Sequence, residues 1–411
     1  MQASPQPKAG RHPVWLIILA AGLIVGTAMG LRQVMGLFLS PMTLELGIGR
    51  EPFSLAMAIA NLVWGFAAIP FGLVADKYGT ARVIFLGALA TICGLGLMYV
   101  AATGFDLLVA GVLMGIGIGG TGVTALVGAV GRAVPADKRP QALASLGMAA
   151  GIGGFIAFPY THLAIELLGW KQSFLVIAAT IALLMPLALL FTGRSPALPA
   201  SRSQSIREAF AEALAHPSFW LLIAGFFVCG FHVAFYSVHL PAFVADARLP
   251  PQVAVTALTA VGIANIIGTY VAGQSTKFTE KRLSLSFIYF MRTFAFLGLL
   301  FLPINAWTVI GVSVLLGFFW LSTVPLTSAL VATFFGAQWM LMLFGLVFLS
   351  HQLGSFTGLW LAGRLYDLTQ SYDTMWWISI VLALVAALIH LPIRERPVER
   401  LRAQLASGTS V

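Results

Sequence analysis

Arg32 is the residue with the most chemical consequence. It stands in Gly30-Leu31-Arg32-Gln33-Val34-Met35-Gly36, well inside an apolar run from Val14 to Leu39. A charge held in hydrocarbon costs roughly 3 kcal/mol on insertion scales, and such a residue ordinarily faces a water-filled cavity and marks a pathway. The other reading is an arginine that snorkels to an interface or pairs with a neighbour. No Asp or Glu falls in the middle of a comparable apolar run: Asp106, Glu166 and Asp246 lie at the ends of theirs. A guanidinium without an internal carboxylate can take its counter-ion from a bound anion, because its planar fork matches a carboxylate bidentately. The same lack of buried acids argues against a pump for lipophilic cations.

His351 is the second candidate, with Gln352 beside it in Leu349-Ser350-His351-Gln352-Leu353-Gly354. An imidazole there can bind a carboxylate or carry a proton near neutral pH, or simply hydrogen-bond a neighbouring helix. His232, Tyr236 and His239 form a third group. The first two are four apart and share a helical face. They can donate to an anion, or bond between helices with His239 as an interfacial anchor. Asn61 and Asn265 occupy broadly equivalent places in the two halves of the chain, and each can line a cavity or bridge helices. Arg292 also lies inside an apolar run, where a structural role is expected of it. No Walker loop, HExxH, nucleophile elbow or Cys/His metal spacing stands where it could work, so no enzyme activity, cofactor or metal is expected.

These residues must be positioned by a chain that is 59% hydrophobic and only 9% charged. A soluble domain carries roughly 25% charged residues, so lipid must be the solvent here. Soluble enzymes, nucleic-acid binders and secreted disulfide scaffolds are excluded; Cys93 and Cys229 both lie in apolar runs. A spanning helix needs about 20 apolar residues. On that scale the sequence holds twelve spans: Val14–Leu39, Phe53–Ala75, Val83–Ala102, Leu107–Gly131, Gln141–Leu163, Phe174–Thr192, Phe219–Phe243, Val253–Ser275, Leu283–Pro303, Thr308–Thr333, Met340–Gly363 and Met375–Pro392. With the N-terminus in the cytoplasm, the outer segments hold only Arg50, Lys171, Arg248 and Arg364, while the inner ones hold most of the basic residues. That asymmetry puts both termini inside. It also accounts for the net charge of +9 without a nucleic-acid partner.

The polar interval Gly193–His216 divides the spans six and six, and Ser205–Leu214 within it can form an amphipathic surface helix. After it the chain restarts: His12-Pro13 with Trp15-Leu16-Ile17 is echoed by His216-Pro217 with Trp220-Leu221-Leu222. This suggests a parallel repeat of two six-helix units, an N-terminal bundle 1–192 and a C-terminal bundle 218–411 joined by a linker 193–217.

Between spans 2 and 3 the chain reads Gly72-Leu73-Val74-Ala75-Asp76-Lys77-Tyr78-Gly79-Thr80-Ala81-Arg82. Six plus six helices, a central loop and this G-x-x-x-D-[RK]-x-G-x-x-R pattern resemble the major facilitator superfamily over essentially the whole chain. The resemblance implies an all-α membrane fold of twelve transmembrane helices in two halves. It also implies a cytoplasmic latch of Gly72, Asp76, Lys77, Gly79 and Arg82. Gly72 would let span 2 pack closely, Asp76 would sit at the N-terminus of a helix of the other half, and Gly79 would permit the turn. The equivalent loop after span 8 has Lys277 where the Asp would be, so any latch is asymmetric. The glycines of spans 4 and 5 read as tight helix packing, since Gly151 is followed by Ile152 and not by proline. The segment Gly363-Arg364-Leu365-Tyr366-Asp367, with Tyr372, Asp373, Trp376 and Trp377, reads as an outer interfacial anchor.

Within the family, the Arg of span 1 and its ending Phe38-Leu39-Ser40-Pro41 look most like the monocarboxylate and oxalate/formate porters. Span 8 lacks the acid and arginine of the animal monocarboxylate carriers, and the basic residue of span 11 is a histidine. The resemblance implies a secondary transporter in the inner or plasma membrane, working by alternating access as a monomer. It would move a small, monocarboxylate-like organic anion with a proton as coupling ion. Arg32, His351, Gln352, His232, Tyr236, Asn61 and Asn265 would form the site. Efflux of hydrophobic or drug-like compounds, or a transporter-like sensor, are the alternatives.

Overall fold

The computed structural model describes residues 13–134, 138–192, 204–336 and 338–406, and contains no strand among them. Twelve stretches are long and apolar enough to cross a membrane. Spans 1 to 6 are α1 (Val14–Val34) with α2 (Gly36–Leu46), α3 (Arg50–Tyr78), α4 (Thr80–Val100), α5 (Gly104–Thr121) with α6 (Val123–Ala133), α7 (Arg139–Leu168), and α8 (Trp170–Leu184) running on into a 3-10 stretch, Met185–Phe191. A short helix α9 (Ile206–Leu214) follows. Spans 7 to 12 are α10 (Pro217–Asp246), α11 (Pro251–Ser275), α12 (Lys281–Phe301), α13 (Ala306–Phe318) with α14 (Thr323–Phe335), α15 (Met340–Thr369) and α16 (Asp373–His390). The chain ends in α17 (Glu399–Ala406).

Local sequence fixes the helix ends. Gly79 and Gly169, at φ +95° and +85°, turn the chain between α3 and α4 and between α7 and α8, a conformation that costs glycine little. Ser205 and Glu208 form a capping box that starts α9, where an amphipathic helix was expected. Glu212 of that helix meets Arg400 of α17 at 3.2 Å.

The two groups of six repeat the same neighbourhoods. Span 1 packs on span 5 as span 7 packs on span 11; span 2 on span 4 as 8 on 10; span 3 on span 6 as 9 on 12. Small residues make the closest approaches possible. Gly26 lies against Gly153 across α1 and α7, and Gly230 lies on the His351 backbone across α10 and α15. The glycines of spans 4 and 5 behave likewise at Gly115, against Ala60, and at Gly153, whereas Gly147 faces open space. Between the groups, α2 packs on α10, α3 on α15 and α7 on α11.

Span 10 is interrupted at Phe319–Ser322, between α13 and α14. Broken helices are tolerated in a membrane only where the freed backbone groups find partners. Here Arg292 Nε and Nη2 donate to the Phe319 carbonyl at 3.1 and 2.7 Å, and Nη2 also reaches the Trp320 carbonyl at 2.5 Å. Asn265 Oδ1 accepts from the Leu321 N–H at 2.9 Å. The structural role expected of Arg292 is thus a defined one: with 1% of its surface exposed, it satisfies the carbonyls of a helix break.

Candidate functional site

Arg32 projects from the last turn of α1 and is half-buried. Its Nε donates to Asn61 Oδ1 at 2.9 Å, and its guanidinium carbon lies 5.3 Å from the Trp64 ring centre, within cation–π range. Asn61 is held in turn by its own helix, its Nδ2 donating to the Met57 carbonyl at 2.8 Å. Asn61 and Trp64 are three apart on α3, so one helix face presents the amide and the indole together. Among the described residues Arg32 forms no ion pair with a carboxylate; its partners are a neutral amide and an aromatic face.

A run of polar side chains continues from Asn61 into the second group of helices. Gln352 Nε2 donates to the Asn61 carbonyl at 2.9 Å, and Gln352 Oε1 lies 3.1 Å from His351 Nδ1. The His351 ring stacks on Phe348, centroids 5.7 Å apart at 9°, and packs on Phe226 at 5.1 Å. Phe348 also meets Trp64 edge-on at 5.2 Å. Arg32, Asn61, Gln352 and His351 therefore belong to one arrangement, polar along its spine and walled by Trp64, Phe348 and Phe226. Beyond His351, Cys229 precedes Gly230, which lies against the His351 backbone. Cys229 Sγ stands 3.3 Å from Thr323 Oγ1 and 3.6 Å from Arg292 Nη2, which ties the run to the break in span 10.

The remaining expected residues lie elsewhere. His232 is fully buried, with Nε2 3.0 Å from the Ser379 carbonyl, and Tyr236 Oη is 2.7 Å from Ser313 Oγ. Both point at helices of their own half, so their shared face serves interhelix bonding. Asn265 serves the span 10 break. It is therefore not a counterpart of Asn61 at the seam between the halves.

At the loop after α3, Gly79 makes the expected turn, and Lys77 and Arg82 are exposed. The Asp76 side chain lies outside the described residues. Among the described residues nothing lies within 4 Å of where a Cβ on Gly72 would stand, so the close packing expected of it is not found there.

A latch is present at the opposite end of the bundle, where the sequence suggested only an anchor. Arg50 grips Asp246 with both arms, at 2.6 and 2.8 Å, and Nη1 also donates to Tyr372 Oη at 2.8 Å. Asp367 accepts from the backbone N–H groups of Arg50 and Glu51, each at 2.8 Å. It thus occupies the positive end of α3, as an anion should. Glu51 pairs with Arg364 at 3.0 Å and accepts from Trp360 at 3.1 Å. Burial pushes the Tyr372 phenol pKa up, so it remains a proton donor. One assignment satisfies every group: Tyr372 donates to His239 Nδ1 at 2.9 Å, His239 Nε2–H donates to Ser54 Oγ at 3.2 Å, and Ser54 donates to the Arg50 carbonyl at 2.7 Å. The ring closes on Arg50. Trp376, also read as an anchor, is buried at 1% exposure, whereas Trp377 beside it is exposed. The available signal was opposite charges at the ends of distant spans, which spacing alone cannot pair.

Comparison with known proteins agrees with this architecture. The Major Facilitator Superfamily model matches residues 14–340. The chain is 23% identical to the uncharacterized MFS-type transporter YcxA of Bacillus subtilis, over 95% of this chain and 96% of that protein. It is also 23% identical to the uncharacterized MFS-type transporter YhjX of Escherichia coli, over 83% and 85%. Among solved structures, a bacterial homolog of the human lysosomal transporter Spinster, inward-facing and unoccupied, superposes with a TM-score of 0.77 at 16% identity, covering 93% of this chain and 97% of that one. The fold, the repeated packing of its two halves and the match over residues 14–340 lead to one conclusion: this multi-pass membrane protein belongs to the major facilitator superfamily and is a transporter.

Proposed function

We propose that this transporter moves a small organic anion of the monocarboxylate kind, and that Arg32 binds the anionic group. The observation that carries the reading is Arg32 itself. It is a half-buried guanidinium whose partners are the Asn61 amide and the Trp64 face. Only Nε is committed to Asn61, which leaves the terminal nitrogens for a bidentate contact with a carboxylate. Gln352 and His351 supply further polar atoms on the other half. Trp64, Phe348 and Phe226 suit the apolar body of a short organic acid.

In the proposed cycle, residues 1–192 and 218–411 rock about the Asn61–Gln352 seam, with 193–217 as the tether. With both termini in the cytoplasm of an inner or plasma membrane, the Arg50–Asp246–Asp367 latch seals the outer side. A proton accompanies the anion, carried by His351 or by the substrate acid. Uptake of short carboxylic acids into proteoliposomes, with a pH gradient imposed, tests the reading. Arg32→Gln should abolish uptake while folded protein remains in the membrane; undiminished uptake by that variant refutes the assignment. Flux indifferent to the pH gradient rejects the proton as coupling ion.

A further inference from the structure

A cleft of about 380 Å³ opens between the end of α11 and the start of α12. It lies apart from Arg32 and His351, at the break in span 10 that their run also reaches. Val271 of α11 and Phe287 and Ile288 of α12 wall it, and Phe318 and Phe319, at the break in span 10, form its floor. Its mouth is polar. Ser284 Oγ stands 3.2 Å from Ser275 Oγ and 2.8 Å from Thr279 Oγ1, which makes a cluster of hydroxyls on the turn between the two helices. The cleft is therefore graded, from hydroxyls at one end of the bundle to aromatic rings in its depth.

Two observations identify what it meets. The first is its setting. Leu283, Phe287, Phe290 and Phe294 recur at helical spacing on α12 and are 44–55% exposed. An apolar stripe left uncovered on a membrane-spanning helix faces acyl chains, and Phe287 belongs both to that stripe and to the cleft wall. The second is charge. Lys277, Lys281 and Arg282 stand on the turn, against Glu280 and Glu395. The acids are already engaged, Glu395 with Lys281 at 3.1 Å and Glu280 with Arg282 at 2.5 Å. Among the described residues, the Lys277 ammonium donates to the neutral Gln274 amide oxygen, at 2.6 Å, and forms no ion pair. The rim carries excess positive charge at headgroup level, the pattern that attracts anionic lipid.

We propose that this cleft is a binding site for an anionic phospholipid. One acyl chain lies along Val271 and Phe287 down to Phe319, and the headgroup stands over Lys277. The volume is that of a small-ligand pocket, enough for part of a chain and not for a whole lipid. The site has a mechanical consequence. The Phe319 ring lies edge-on to Phe287 at 5.9 Å, while the Phe319 carbonyl accepts from Arg292. A chain seated in the cleft bears on the break of span 10, and so steadies it.

The test uses purified full-length protein, exchanged from neutral detergent into vesicles of phosphatidylcholine with or without phosphatidylglycerol. Native mass spectrometry reads the bound lipid, and thermal unfolding reads the stabilisation. The parent should retain phosphatidylglycerol in preference to phosphatidylcholine and unfold at a higher temperature in its presence. Lys277→Glu, an exposed change outside the packed helices, should weaken that retention roughly fivefold or more. Val271→Trp, which fills the cleft, should remove it, while Phe290→Trp on the stripe outside the cleft should leave it unchanged. Equal retention of the two lipids by the parent, or unaltered phosphatidylglycerol retention by Lys277→Glu, overturns the proposal. A matching stabilisation by inorganic phosphate alone overturns it too, since the acyl chain would then be irrelevant.

Discussion

Arg50 and Asp246 face each other across the two halves of the bundle in a bidentate pair, Nη2 to Oδ1 at 2.6 Å and Nη1 to Oδ2 at 2.8 Å. Around them Asp367 caps the start of α3, and Tyr372, His239 and Ser54 complete a closed ring of hydrogen bonds. Where this latch is made, Gly36 lies so close to α10 that a Cβ there would stand 2.6 Å from the Ser237 carbonyl oxygen. Closure here thus combines backbone contact with directed ionic bonds.

Asp246→Asn should loosen that end. The pair is partly exposed, with side-chain exposures of 12% and 34%, so the loss is discounted to roughly 1–2 kcal/mol of closure energy. Alkylation of a cysteine placed at Val238, in a background lacking Cys93 and Cys229, should then run about tenfold faster than in the parent. An unchanged rate would show that the ionic pair does not hold the latch.

Arg32→Lys keeps the charge and loses the planar fork. The Nε contact to Asn61 Oδ1 disappears, and a carboxylate can no longer be held on two parallel bonds. Uptake should persist with a KM raised about tenfold, roughly 1.4 kcal/mol, whereas Arg32→Gln abolishes it. Equal losses in the two variants would mean that fork geometry, and not charge, governs binding.

Arg292→Leu should destabilise the protein by about 3 kcal/mol or more, because the Phe319 and Trp320 carbonyls lose their donor in a buried place. Thermal unfolding in detergent measures it. Arg292→Lys should recover part of the loss. A leucine variant as stable as the parent would show that the break in span 10 satisfies itself.

His216, at the head of α10, packs against Phe334 at 4.7 Å and Phe335 at 5.7 Å. Burial holds its pKa below the ordinary 6.5; Glu212 opposes the shift and Arg402 adds to it. A folded state that binds its proton less readily than the unfolded one is fully favoured above pH 6.5. It loses that advantage as pH falls from there through the depressed value. Acid should therefore lower the unfolding temperature in this window, and His216→Phe should flatten the dependence. A parallel pH profile in the variant would place the sensitive group elsewhere.

Much of the fold was legible because its physics is local. The period and length of apolar runs gave twelve spans, since every stretch of about 20 apolar residues must bury its backbone bonds within itself. The polar interval before His216 and the restart at His216-Pro217 marked the midpoint. The amphipathic stretch Ser205–Leu214 announced α9. Arg32 could be singled out for the same reason: a charge inside hydrocarbon stands out in any linear reading.

What the tertiary structure decided was pairing. Asn61 and Gln352 are 291 positions apart and meet at 2.9 Å; Arg50 and Asp246 are 196 apart and form the latch. His232 and Tyr236 share a face as their spacing demands, but only the packing of α10 turned that face toward Ser379 and Ser313. Arg292 and Asn265 read as two unrelated polar residues until the interruption of span 10 gave both the same task. A hydrogen bond acts over about 3 Å, so its partners are set by which helices lie side by side. Periodicity places a side chain on a face, and only the assembled bundle says what that face touches.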